Sequence, residues 1–184
     1  MIFFLSCSKP KECFQPEVDL KYNVYPQKET FKIGDSILFI ASIDKFTTDI
    51  DDGRFVNTFD FNLFSGAIGI KGYSDNREQY AAWTHFKYKI LKGSEKDINP
   101  YVVRRFDFIK TDSGYVFEVM IYPQKKGAFA LSISEIRGEN GSCNILFGYP
   151  KPLFLYNHHH LYEMVTGTQA HVLDLEKPYF FMVE

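Results

Sequence analysis

Apolar and polar residues alternate with a period of two along much of this chain, most clearly from Gly114 to Ile136. There Tyr115, Phe117, Val119 and Ile121 alternate with Val116, Glu118, Met120 and Tyr122. Further on, Phe129, Leu131 and Ile133 alternate with Ala128, Ala130, Ser132 and Ser134. A strand with one buried face has this period. Pro123 cannot donate to a ladder and Gly127 supplies backbone freedom, so the spacing predicts a hairpin turning through Gln124 to Lys126.

The same reading applies in chain order. Asp19 to Pro26 reads as a first strand, and Gly34-Asp35 as a turn before the apolar run Ser36 to Ile43, a core strand. Asp44 to Asn57 reads as a solvated hairpin loop. Phe59 to Phe64 alternates as a strand, with Ala67 to Lys71 as its expected partner across Ser65-Gly66. Asp75 to Thr84 breaks the alternation and suggests one or two helical turns pinned by Trp83. Strands are expected at Phe86 to Leu91 and Tyr101 to Lys110, and a loop at Arg137 to Ser142. Asn157 can cap a short helix through His158 to Val165, ended by Gly167, and Lys177 to Glu184 reads as a closing strand. The expectation is an all-β sandwich of seven to nine strands with a short C-terminal helix, one domain over residues 13–184.

Composition narrows the picture. Aromatic residues make up 17% of the 184-residue chain, which suits pleated, half-buried surfaces. The formal net charge of -2, with acids and bases interspersed, argues against a nucleic-acid partner. No apolar run approaches the roughly 18 to 20 residues that span a bilayer as a helix.

The N-terminus, MIFFLSCSKPKEC, resembles the end of a bacterial lipoprotein signal, with Phe4-Leu5-Ser6-Cys7 as the lipobox and Cys7 as the lipidated residue. Only six residues precede Cys7, fewer than the basic region and apolar stretch of about 7 to 15 residues that a full signal carries. The expectation is therefore a truncated signal end and polar tether over residues 1–12. It implies an exported protein, anchored by lipid to the outer membrane and periplasmic or surface-exposed. With Cys7 acylated, Cys13 and Cys143 remain as a pair that an oxidising compartment would permit to form a disulfide, the alternative being two buried thiols. The phrases FKIGDSILFIASI and YPQKKGAFALSI resemble strands of immunoglobulin-like β-sandwich lipoproteins of the Bacteroidetes. That resemblance implies an immunoglobulin-like sandwich and a protein or glycan partner in the envelope or host.

Candidate chemistry is sparse. Asp49-Ile50-Asp51-Asp52-Gly53 lacks the glycine position and terminal Glu of a calcium loop. His159 and Glu163 share a helix face and, with His171, offer a possible zinc set, although the His-Glu-x-x-His pattern is absent. Nucleophile-elbow, phosphate-loop and dinucleotide motifs are also absent. The sequence thus favours a non-catalytic binding or adhesion module without a cofactor, over an accessory subunit of an envelope assembly or a metal-dependent hydrolase. If a glycan binds, Tyr80 and Trp83 are the expected stacking residues. Nothing in the sequence fixes the oligomeric state.

Overall fold

The computed structural model describes residues 13–74, 78–97, 104–134, 136–140, 144–155, 158, 160–166 and 178–184. Sixteen strands fall among them. The first eight are β1 (Glu17–Tyr25), β2 (Thr30–Phe31), β3 (Ile37–Asp44), β4 (Phe46–Thr48), β5 (Phe55–Asn57), β6 (Asn62–Tyr73), β7 (Gln79–Ala81) and β8 (Phe86–Lys92). The others are β9 (Ser94–Asp97), β10 (Arg104–Asp107), β11 (Ile109–Thr111), β12 (Gly114–Pro123), β13 (Gly127–Ile133), β14 (Ile136–Asn140), β15 (Asn144–Pro152) and β16 (Tyr179–Val183). One short helix, α1 (His160–Thr166), and single 3-10 turns at Thr58–Asp60 and Trp83–His85 complete the described elements.

The main ladder runs β11-β12-β3-β1-β15-β14-β6-β13-β16-β2. It folds back on itself at β6. Asn62 and Ser65 of that strand face β14, whereas Ile68 to Tyr73 face β13. A strand that changes partner along its length moves the chain from one leaf of a sandwich to the other. The front leaf holds β12, β3, β1, β15 and β14; the back leaf holds most of β6 with β13, β16 and β2.

Alternation then fills the space between the leaves. Val18, Leu20, Tyr22 and Val24 of β1 and Ile37, Phe39, Ala41 and Ile43 of β3 point inward from the front, and Ile68, Ile70, Phe129 and Phe181 from the back. Aromatic rings meet across the gap: Phe106 and Phe117 at 4.6 Å between centroids, Phe86 and Phe129 edge to face at 4.9 Å. Such pairs add about 0.5–1.5 kcal/mol each beyond area burial.

Several sequence expectations are corrected here. The strands over Gly114 to Ile136 exist, but β12 pairs with β3, β8 and β11 while β13 pairs with β6 and β16. Gln124 to Lys126 is therefore a passage between leaves and not a hairpin turn. Two strands that face each other across a core bury the same phase of residues as two that pair edge to edge, so the period alone cannot distinguish them. Ser65-Gly66 is not a turn either; it lies inside β6, where a Cβ on Gly66 would stand 2.3 Å from the Ile136 Cγ2 atom. The expected helical turns before Thr84 are β7 and a 3-10 turn, and the expected loop at Arg137 is β14. Strand β15 was not anticipated at all. It runs parallel to β1 in the register Glu17 to Phe147. Sixteen strands replace the seven to nine of an immunoglobulin-like sandwich.

Candidate functional site

The outer face of the back leaf is built from unusually small side chains. Along β6 it presents Ser65, Ala67, Gly69 and Lys71, and along β13 and just beyond it Ala128, Ala130, Ser132 and Ser134. At one end this face is covered. Ala128, Ala130, Tyr73 and Phe180 form a second apolar cluster with Leu161 of α1. Away from α1 nothing among the described residues covers the face, and Ala67, Gly69, Ser132 and Ser134 floor a trough of about 390 Å³ bordered by Lys71, Gln79, Tyr80 and Ala81. The trough shares Ala67 and Ser134 with a second hollow of about 440 Å³, lined also by Ser65, Gly66, Arg105, Arg137 and Phe147.

Backbone bonding fixes the floor. The Ser134 amide donates to the Ala67 carbonyl at 2.8 Å, and the Ala67 amide donates to the Ser134 hydroxyl oxygen at 3.2 Å. Among the described residues no carboxylate lines either hollow, and the charged groups there are basic. Lys71 and Arg105 are exposed and make no ion pair among the described residues, while Arg137 Nε lies 3.0 Å from Glu139 Oε1. Such a surface suits an extended ligand carrying negative charge.

Of the two expected stacking residues, Trp83 lies on the core side of the sheet and Tyr80 at the border of the trough. Trp83 is 1% exposed and its indole N–H donates to the Ile68 carbonyl at 2.9 Å, so it is a core residue. Tyr80 stands opposite Gly72, and its ring occupies the space where a Gly72 Cβ would project, 2.3 Å from Cζ. That ring packs on the core and lies 5.4 Å from the His85 ring. Burial pushes the Tyr80 phenol up; burial, and then Lys125, push His85 down. Tyr80 contributes to the edge of the trough but does not offer it a flat face.

Of the proposed metal set, Glu163 is exposed on α1, whereas His159 and His171 lie outside the described residues. Among the described residues no group of three His, Cys, Asp or Glu is arranged to hold a metal ion. The neighbouring histidines have other contacts. His158 stands edge-on to Tyr179 at 5.5 Å, and His160 Nε2 lies 3.2 Å from Glu29 Oε1. Asp49, in the segment whose spacing does not fit a calcium loop, is 5% exposed and accepts the amides of Glu17 and Asp51, both at 3.2 Å, as the end of the β4–β5 turn. Cys7 and Cys143 lie outside the described residues; Cys13 lies just before β1.

A half-buried polar cluster holds β8, β9 and β10 together. Arg104 Nη1 lies 2.6 Å from Glu95 Oε1 and packs over the Tyr88 ring at 4.6 Å and the Trp83 ring at 5.5 Å. Arg104 and Glu95 hold each other, so this cluster is structural.

The trough was missed in the sequence because its residues are chemically plain. The available signal was the phase that alternates with the core: Ala128, Ala130, Ser132, Ser134 on one strand and Ser65, Ala67, Gly69 on the next. A solvent-facing phase normally carries long polar side chains. An uninterrupted run of small ones marks a face that something approaches closely.

No protein-family model matches the chain, and no curated protein is similar to it in sequence. Among solved structures it is similar to a cohesin module from a Clostridium perfringens family 33 glycoside hydrolase, at 13% identity over 73% of this chain and 98% of that one, with a TM-score of 0.35. It is also similar to the second type II cohesin module of the scaffoldin ScaA of Acetivibrio cellulolyticus, at 10% identity over 73% and 94%, with a TM-score of 0.36. A non-cellulosomal cohesin from Archaeoglobus fulgidus gives 12% identity over 79% and 97%, with a TM-score of 0.34. Likeness at this level carries no argument about partner or activity. What the structure defines by itself is an all-β sandwich with a basic trough on one outer face.

Proposed function

We propose that this protein is a non-catalytic binding domain of the cell envelope and that the trough is its ligand-contacting surface. One observation carries the reading: the outer face of β6 and β13 is stripped of large side chains where α1 does not cover it, and basic residues stand at both ends of the bare stretch. The ligand class is an extended acidic chain, with a uronic-acid glycan preferred because the floor offers the hydroxyls of Ser132 and Ser134. Titration of the isotope-labelled protein with oligogalacturonate should shift the amides of residues 67–71, 105, 132–134 and 137. Ser132→Trp, which fills the floor, should abolish those shifts with the fold unchanged. Shifts confined to other surfaces would sink the assignment, and equal shifts with poly-glutamate would replace the glycan by an acidic protein.

The envelope location rests on the Cys7 lipobox and on an expected disulfide between Cys13 and Cys143. Its support is the parallel register of β1 and β15, which brings the start of β1 at Glu17 beside Phe147. The Ile145 amide donates to the Phe14 carbonyl at 3.1 Å, which carries the pairing toward Cys13, and Cys13 is not a free thiol. Neighbouring strands stand about 4.7–4.9 Å apart, inside the Cα range of a disulfide. Peptide mapping without reduction tests it: a linked peptide is expected, and a Cys143 that alkylates freely would remove the bridge.

A further inference from the structure

The β4–β5 hairpin is a two-stranded sheet outside the main ladder. Its inner face is anchored by Val56, which is 1% exposed, and by Thr58, whose hydroxyl donates to the Asp44 carbonyl at 3.0 Å. Its outer face does the opposite of what a soluble hairpin does. Phe46 is 54% exposed, Phe55 68% and Ile50, at the turn, 52%. The two phenylalanine rings stack on each other, with centroids 5.4 Å apart and planes at 27°.

The hairpin also lies where the N-terminal tether leaves the domain. The Ile50 amide donates to the Glu17 carbonyl at 2.7 Å, and the Arg54 guanidinium packs over the Phe14 ring at 5.1 Å. Cys13 lies six residue steps after Cys7, a reach of about 20 Å when extended. An acyl anchor on Cys7 therefore holds this end of the sandwich within that distance of the lipid.

We propose that the β4–β5 hairpin rests on the lipid surface through Phe46, Phe55 and Ile50, and so fixes the orientation of the domain on the membrane. The inference rests on the reading that Cys7 is acylated. Aromatic side chains favour the boundary between headgroups and acyl chains, and one acyl signal gains from a second contact. The contact is apolar and not electrostatic. Lys45 lies over the Phe59 ring at 4.7 Å and over the Phe46 ring at 5.1 Å, Lys110 lies over Phe59, Arg54 pairs with Asp52, and Asp51 and Asp52 leave no basic excess at the turn.

The test uses the full chain carrying Phe55→Trp, purified from membranes and reconstituted into phosphatidylcholine vesicles with and without brominated acyl chains. Trp83, the only native tryptophan, is buried and supplies the baseline. The added indole should be quenched by bromine, equally at low and high salt, and Phe46→Ser in the same chain should reduce the quenching. Intact mass separates the two readings. An acylated chain that joins vesicles without quenching overturns the docking and leaves the anchor standing. An unmodified Cys7 overturns the anchor, and the same assay at high lipid then decides the docking, with absence of quenching overturning it. Quenching that appears only on anionic vesicles and vanishes in salt would also overturn it. So would a concentration-dependent dimer that protects the added indole from bromine.

Discussion

The two halves of the back leaf's outer face start from the same side-chain pattern and end differently. Under α1, Ala128 and Ala130 are small so that Leu161 can reach the sheet, and Tyr73 and Phe180 close the seam. A few residues along the same strands, Ser132, Ser134, Ala67 and Gly69 are equally small but nothing described lies over them. The covered half pairs small residues with large apolar ones, whereas the open half pairs them with hydroxyls and cations. Small size is thus a requirement for close approach, and the chemistry around it tells which approach is internal and which comes from solution.

That comparison can be broken or sharpened by experiment. Phe129→Ala removes a fully buried ring that both halves share and should cost about 3–5 kcal/mol in urea unfolding. A much smaller loss would mean that the leaves do not share one core. Leu161→Ala should act on the covered half alone, costing about 2 kcal/mol, the low end for a buried leucine because α1 has only seven residues. Hydrogen exchange should then rise at Ala130 and Phe180 and stay constant at Ser132; a rise along the whole strand would erase the distinction.

Alkaline titration gives a graded version. Burial lifts the Tyr179 phenol from 10.0 to about 12, against a smaller opposing pull from the Lys28 backbone. Its contribution to stability is fully present below pH 10 and is lost as the pH rises through about 12. Because β16 also carries Phe180, the covered half should loosen first, and Tyr179→Phe should flatten this part of the profile. Burial raises Tyr22 as well, and its hydroxyl has no hydrogen-bond partner among the described residues, so Tyr22→Phe should be neutral or slightly stabilising. The smallest effect belongs to the open half: Ser132→Ala should change unfolding by no more than about 0.5 kcal/mol while weakening ligand shifts.

The sequence showed the strands better than their neighbours. The alternation of β3, β12 and β13 is visible because each buries one phase of Ile, Val and Phe. Strand β15 carries Gly148, Pro150 and Pro152, residue types depleted in strands, and so gives no strand pattern. Gly148 is needed where a Cβ would meet Ile136 at 2.7 Å and Ile43 at 2.8 Å, and the prolines fall at the end that pairs with Leu20 and Tyr22. Gly66 misled in the same way. It marks a close approach inside a strand, which by sequence alone resembles a turn. Trp83 drew attention as a large aromatic in an irregular segment, but its indole N–H had a carbonyl to satisfy in the core. None of the trough's floor residues carries a distinctive group, so the site becomes visible only once β6 and β13 stand side by side.

The position of β16 has a consequence for the order in which this chain folds. It adds antiparallel to β13 on one edge and parallel to β2, at Thr30–Phe31, on the other. β15 likewise reaches back to β1 across some 130 positions. Early strands therefore wait for the latest ones, and a nascent chain has no finished edge at which to stop. Pairing of this kind is slow, because loop-closure entropy must be lost before the contacts form. The domain should accordingly acquire protection in one late step, once β16 is available to pair, with little protected structure in chains truncated before residue 179.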